Sequence, residues 1–384
     1  MSGQEKQVYL DYAATTPVDE RVLQAMLPYF RTQFGNPSSL YSYGRAARQA
    51  VAKARRQVAA LLHATPEEIF FTSGGSESDN WAVKGMALAA RRERGRNHII
   101  TTTIEHHAVL RTCAWLAQQD FEVTYLPMDA EGCVTAAQVE AALREDTALV
   151  SVMFANNEVG TIEPIAEIGA MLREHGVFFH TDAVQAAGHI PIDLQQLPVD
   201  ALSLSGHKLY GPKGTGVLYL RRGWQPDSLI HGGAQEREQR AGTENVPGIV
   251  GLGFAAELAQ ADMTAEQERL TKLREQLLSG IRVLPGAAIN GSLNRRLPGN
   301  VNFRIAGIDH EVLLIRLDLA GFAVSAGSAC SAGSLEPSHV LLAMGQTAVQ
   351  ASEAVRVTLG RYTTAEEIAA FLQTLNRIVK ELKA

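Results

Sequence analysis

Short apolar runs alternate with stretches of helical periodicity through the first two-thirds of the chain, and this alternation constrains the fold most. Residues 69–72, 98–102, 121–126, 148–154, 177–181, 201–205 and 216–220 read as strands. Ala47, Val51, Ala54, Val58 and Leu62 recur at helical spacing, and 108–118 and 164–175 also read as helices. The last of these opens near Pro164 and closes at Gly176, as helix punctuation should. Continuous apolar strands separated by helices predict an α/β fold, its sheet mainly parallel and covered on both faces.

The texture changes after Pro247, where a long charged helical segment over 249–281 leads into an α+β tail ending in a helix over 364–382. At 384 residues the chain exceeds one ordinary core. The expected division is a large domain over 16–255 and a smaller α+β domain formed by 1–15 with 256–384. Apolar residues at 46% and charged residues at 20% describe a packed globular protein. A net charge of −6 argues against nucleic acid or an anionic membrane as the main partner. Arg91, Arg92, Arg94 and Arg96 fall at an expected helix end, where cations suit the dipole. The opening residues are polar and unlike a signal peptide, and no apolar run approaches the roughly 20 residues that span a bilayer. Cys113, Cys133 and Cys330 are odd in number and far apart, which fits neither a disulfide framework nor a zinc site and points to a reducing cytoplasm.

Several groups carry chemistry. Ser205-Gly206-His207-Lys208 follows an apolar strand and precedes a glycine-rich turn. Desolvation of a lysine there lowers its pKa and leaves the neutral amine that a Schiff base requires; alone, Lys208 reads first as an exposed loop lysine. Asp182 ends another apolar strand, with Gln185 three residues on. Pyridoxal phosphate needs a carboxylate beside its ring nitrogen. At about 4 Å and an effective dielectric of about 20 such a pair gains roughly 4 kcal/mol. That favours the pyridinium by up to about three pK units before desolvation is subtracted. Alone, Asp182 reads as a helix N-cap. Thr72-Ser73-Gly74-Gly75-Ser76-Glu77 joins a strand to a helix and suits a phosphate, although many strand–helix turns are glycine-rich. Apart from Cys330, residues 325–334 are all Ser, Ala or Gly, so the cysteine is expected on a mobile loop; an incidental cysteine in a connection is the alternative. A histidine of the pair His106-His107 can stack on a flat ring, and their spacing is wrong for a helical metal pair. Arg361 offers a guanidinium fork for a substrate carboxylate, or is merely solvated.

Together these segments resemble the cysteine desulfurases of the NifS/IscS type, within the aspartate-aminotransferase fold (fold type I) of pyridoxal-phosphate enzymes. The resemblance spans nearly the whole chain. It includes Asp11-Tyr12-Ala13-Ala14-Thr15-Thr16-Pro17, Gly35-Asn36-Pro37, Glu77-Ser78-Asp79-Asn80, Asn156-Asn157-Glu158-Val159-Gly160, Arg240-Ala241-Gly242-Thr243 and Ser328-Ala329-Cys330. It implies that Lys208 is the Schiff-base lysine and Cys330 the sulfur-accepting nucleophile. Asp182 is implied at the ring nitrogen, Gln185 at the ring hydroxyl and His106 on the ring face. Gly75, Ser76, Ser205 and His207 are implied as phosphate ligands, and Thr243 reaches the phosphate from a second subunit of a homodimer. Asn157 and Arg361 then contact cofactor and substrate carboxylate, with Asn36 assisting. The implied activity converts L-cysteine to L-alanine and a persulfide on Cys330, which a sulfur-acceptor protein takes up for iron–sulfur assembly, tRNA thiolation or cofactor synthesis. His106 is a candidate base for the Cys330 thiol. Rival readings are a selenocysteine lyase or an aminotransferase on the same fold, and a sulfur carrier without activity.

Overall fold

The computed structural model describes residues 7–327 and 337–384, so Cys330 lies outside the described residues. Its strands are β1 Val8–Tyr9, β2 Ile69–Thr72, β3 His98–Thr102, β4 Glu122–Leu126, β5 Thr147–Ser151, β6 Phe178–Asp182, β7 Ala201–Ser205, β8 Gly216–Leu220, β9 Ala287–Asn290, β10 Asn300–Ile305, β11 Phe322–Ala323 and β12 Ala354–Thr358. β2 to β8 form one sheet in the order β2-β8-β7-β6-β5-β3-β4. Pairing is parallel from β7 through β4, while β8 runs antiparallel to both β7 and β2. The α/β class with a mainly parallel sheet is therefore what the sequence predicts.

Alternation within the strands explains the layers. Ile99, Leu149, Phe178 and Leu218 point to one face and pack with Trp81, Val109 and Cys113. Ile100, Val150, Phe179 and Val217 point to the other and pack with the helices Ser42–Leu62 and Val246–Arg282. A period of two over a sheet covered on both sides demands such continuous apolar runs.

A second core gathers Leu10, β10, β12 and the helix Ala365–Lys383. The helix Val246–Arg282 serves both cores, with Ile249, Leu252 and Ala256 in the first and Leu270, Leu273 and Leu277 in the second. Residue 255 falls inside it. Its first half is rich in small residues because the helix Ser42–Leu62 lies close. A Cβ added at Gly253 would sit 2.5 Å from the Ala54 Cα. Gly253→Ala is expected to destabilise the protein by about 1–3 kcal/mol through overpacking, outweighing the roughly 1 kcal/mol that alanine normally gains in a helix. Denaturant unfolding of the two proteins measures the difference.

Candidate active site

The carboxyl ends of β2, β3, β5, β6 and β7 share one edge of the sheet, since β2 runs parallel to β7 across the reversed β8. Strand order switches around β3, with β4 on one side and β5 on the other, and ligands bind open α/β sheets at such a switch. A cavity of about 190 Å³, open to solvent, occupies this edge. Gly75, Ser76, His106, Asn157, Asp182, Gln185, Ser205, His207 and Lys208 all line it.

Each group arrives for a local reason. Thr72 and Ser205 both face Gly216 across the ladder, and a Cβ on Gly216 would meet the Gly74 backbone at 2.6 Å. The missing side chain lets the turn before Gly75 press against the start of β8, beside the end of β7. The helix Gly75–Asn80 begins there, and first-turn N–H groups lack intrahelical acceptors. Lys208 follows β7 in a short 3-10 turn, and its Nζ donates to the carbonyls of Ala13 and, at 2.7 Å, Ala14. Gln185 Nε2 donates to the same Ala13 carbonyl at 3.1 Å.

Asp182 is buried at the end of β6, where Oδ1 accepts the Val184 amide at 2.9 Å. Burial raises its pKa against the opposing pull of His106, that amide and Lys208. A second carboxyl lies beside it. Asp79 also lines the cavity, and polar atoms of Asp79, His106 and Asp182 all fall within 4.8 Å of one another. Burial, with the Asp182 charge next, holds Asp79 well above the usual carboxylate range, and Asp79 Oδ1 has no hydrogen-bond partner among the described residues. The neighbouring His180 is driven by burial down to about 3 and stays neutral. It bonds Ser151 at 2.9 Å and Ser203 at 3.0 Å. Two adjacent buried carboxyls facing a cavity call for a cation or a proton between them.

His106 Nδ1 accepts the Ala108 amide at 3.1 Å and caps the helix His107–Ala117. The neutral ring therefore carries its proton on Nε2 and is a donor. As a proton acceptor for a thiol it would have to give up the cap.

Three expected residues fall elsewhere. Arg361 does not line this cavity: its guanidinium is held by Asp19 at 2.7 Å and lies over the Tyr210 ring. The arginine that does line it is Arg356, fully buried in β12. Arg356 donates to Asp11 at 2.8 Å and to the Asn157 carbonyl at 3.0 Å, and its Nε has no partner among the described residues. The signal was an arginine between Val355 and Val357 in a strand, an expensive burial that needs a reason. Asn36 is exposed, its Oδ1 occupied by the Ser38 amide in a local turn. Thr243 is exposed too, on a loop tied to the Gly75 helix by the bidentate pair Arg240–Glu77 at 2.8 and 3.0 Å.

The aminotransferase class-V family model matches residues 8–371. The chain belongs to this family. A protein named cysteine desulfurase IscS from Methanosarcina thermophila is 52% identical over 383 residues, covering 100% of this chain and 94% of that protein. One named putative cysteine desulfurase IscS 1 from Bacillus subtilis is 50% identical, covering 98% and 100%. Among solved structures, a NifS-like protein superposes with a TM-score of 0.92 at 41% identity over 98% of this chain and 100% of that one. A structure described as SspA in complex with cysteine gives 0.82 at 40% identity, over 93% and 99%.

Members of the class-V family use pyridoxal phosphate, and the cavity fits it. The floor pairs Asp182 with a carboxyl whose oxygen lacks a partner, where a ring cation is answered, and a helix N-terminus stands at one side.

Glu105, next to His106, supplies a pH test. It is fully buried, accepts the Met153 amide and the Thr102 hydroxyl at 2.8 Å, and is pushed up to about 8 by burial. Between its ordinary value of 4.5 and about 8 the folded protein binds the extra proton, so its contribution to stability falls as pH rises through that window. Glu105→Gln is expected to raise the thermal midpoint relative to the parent at pH 8.5 and to lose that advantage at pH 5, read by calorimetry at both values.

Proposed function

We propose that this chain is a pyridoxal-phosphate-dependent cysteine desulfurase that converts L-cysteine to L-alanine and leaves the sulfur as a persulfide on Cys330. The observation that carries it is the constellation of buried Lys208, Asp182 and Arg356 with half-buried His106 around one open cavity, in a chain half identical to named desulfurases. Lys208 would hold the cofactor covalently and, once released, would move the substrate Cα proton. Asp182 would keep the ring nitrogen protonated, Gln185 would serve the ring hydroxyl and His106 the ring face. Gly75, Ser76, Ser205 and His207 hold the phosphate. Burial, then Lys208 and Lys213, lowers His207 to about 4, so it binds as a neutral imidazole. When bound, the cofactor supplies an electron sink next to the substrate Cα.

Arg356, in place of Arg361, takes the substrate carboxylate through guanidinium N–H groups that Asp11 and the Asn157 carbonyl leave unused; Asn157 stands beside it. The Cys330 thiolate attacks the substrate sulfur, the sulfur–Cβ bond breaks, and a proton completes alanine. Only the thiolate is competent for this attack.

A homodimer suits the same reading. Phe34, Leu40, Tyr41 and Tyr43 leave a large apolar surface at 68, 82, 61 and 52% exposure, close in sequence to Asn36. Thr243, exposed away from its own cavity, is available to a partner's phosphate. No described helix is long and apolar enough to cross a membrane, and the free buried thiols Cys113 and Cys133 suit a reducing cytoplasm. A protein that accepts the persulfide completes the cycle.

Cys330→Ser is expected to keep the visible absorbance of the bound cofactor and abolish alanine formation from cysteine; an aminotransferase would retain its turnover. Arg356→Ala is expected to raise KM for cysteine by about 100-fold, as loss of a charge-assisted carboxylate contact does. Arg361→Ala is expected to change KM less than about threefold. Steady-state alanine assays separate the two arginines, and equal effects would remove the assignment to Arg356.

A further inference from the structure

Glu158 belongs to Asn156-Asn157-Glu158-Val159-Gly160, a motif in which only Asn157 has so far been given a task. Its side chain is 1% exposed, although a carboxylate is costly to bury without partners. The turn is rigidly built. Asn156 Oδ1 accepts the amides of Glu158 at 2.8 Å and Val159 at 3.0 Å, while its Nδ2 donates to the Ile104 carbonyl at 3.0 Å. From the other side Asn302 Nδ2 donates to the Glu158 carbonyl at 3.2 Å. Asn157 lines the Lys208 cavity, and its carbonyl accepts from Arg356. The backbone around Glu158 is thus part of the cavity wall.

What the carboxylate touches is distinctive. Ser338 Oγ donates to Glu158 Oε2 at 2.5 Å. A Cβ built on Gly327 would lie 3.1 Å from that same Oε2 and 3.6 Å from Oε1. Gly327 and Ser338 stand on opposite flanks of residues 328–336, which include Cys330. Each flank is anchored further by the fold. Ser325 pairs with Arg356 in both directions at 3.1 and 2.6 Å, and Ser338 caps the helix His339–Ala343 through the Leu341 amide at 3.2 Å. Two points eleven residues apart in sequence (338 − 327) meet one buried carboxylate fixed to the cavity wall.

We infer that Glu158 is a positioning residue for sulfur transfer, holding both flanks of the Cys330-bearing segment against the wall of the Lys208 cavity. The inference rests on the desulfurase reading and adds a group that touches neither cofactor nor substrate. At Gly327 a side chain would crowd the carboxylate, which would have to yield by a few tenths of an ångström. Ser338 is required because its hydroxyl can donate to Glu158 while accepting the first-turn amide of the following helix. Reaction rates fall steeply when a reacting atom is displaced by about 1 Å, so loosening this anchor slows the step made by Cys330 and leaves cofactor and cysteine binding intact.

The test uses the cofactor-loaded full chain and measures alanine formation, persulfide on Cys330 by intact mass, and visible absorbance. Glu158→Ala is expected to lower kcat by about tenfold or more with KM and cofactor absorbance unchanged. Glu158→Gln, which still accepts the Ser338 hydroxyl, is expected to recover most of the loss. Gly327→Ala is expected to lower kcat less, and to add little on top of Glu158→Ala, because both act through one contact. Should Glu158→Ala fail to fold, Gly327→Ala alone carries the same expectation of a kcat loss at constant KM. The inference is overturned if Glu158→Ala keeps kcat within twofold of the parent, if glutamine is as damaging as alanine, or if the two losses multiply. Absence of alanine formation in the parent sinks the desulfurase reading itself, whereas an active parent with an equally active Glu158→Ala sinks only the role of Glu158.

Discussion

Charge buried at the carboxyl edge of a parallel sheet is the constraint on which the rest of this molecule depends. Lys208, Asp182, Asp79 and Arg356 are each at most a tenth exposed and line one cavity. No single element satisfies them. Arg356 in β12 needs Asp11 from the chain's beginning, 345 positions away. Lys208 takes the carbonyls of Ala13 and Ala14 from that same segment. The two carboxyls on the floor remain strained toward protonation by their burial. Such a site is costly in isolation and persists because large apolar cores hold its walls in place. A bound cation that relieves the floor therefore also stabilises the fold, by linkage.

How the cores are joined follows from one helix. Val246–Arg282 presents glycine and alanine where it lies against Ser42–Leu62, and leucine where it enters the second core. A Cβ at Gly251 would meet Met26 Sδ at 2.6 Å, so the close approach extends to a third helix, Glu20–Arg31. The small residues bring backbones together on one half, and the large ones fill a gap on the other.

Much of this was legible in the sequence. β3, β7 and β8 have the bounds their apolar runs suggest, and β6 is displaced by one residue. The run over 148–154 was too long, since β5 stops at Ser151 while the chain goes on to form the cavity wall. Nine of the expected site residues line one cavity; Lys208 and Asp182 had a local signal at strand ends, whereas most of the others were implied only by the family resemblance. The failures were non-local. Arg361 sits beside a glycine in a polar turn and looked available, but Asp19 claims it from 342 positions away. Asp79 lies within a helix turn that gives no hint of the Asp182 carboxyl opposite. Glu158 carries no local signal of its own, since its partners Gly327 and Ser338 are distant in sequence. Pairing patterns that fold alone determines cannot be read from spacing.

The first residues of the chain show how such distant partners cooperate. β1 pairs in parallel with β11, which leads directly toward Ser325 and Gly327. Beyond β1, Thr358 of β12 donates to the Leu10 carbonyl at 2.8 Å and its hydroxyl accepts the Ala13 amide at 2.9 Å. Thr16 then bonds the His207 carbonyl, one residue before Lys208. One short segment thus touches the lysine turn, the buried arginine strand and the strand that precedes the Cys330-bearing stretch. A displacement of that segment would alter all three at once, because its backbone supplies one side of most of these contacts. Reaction geometry in this cavity is consequently a property of two cores held in fixed relation, with the N-terminal segment as the tie between them.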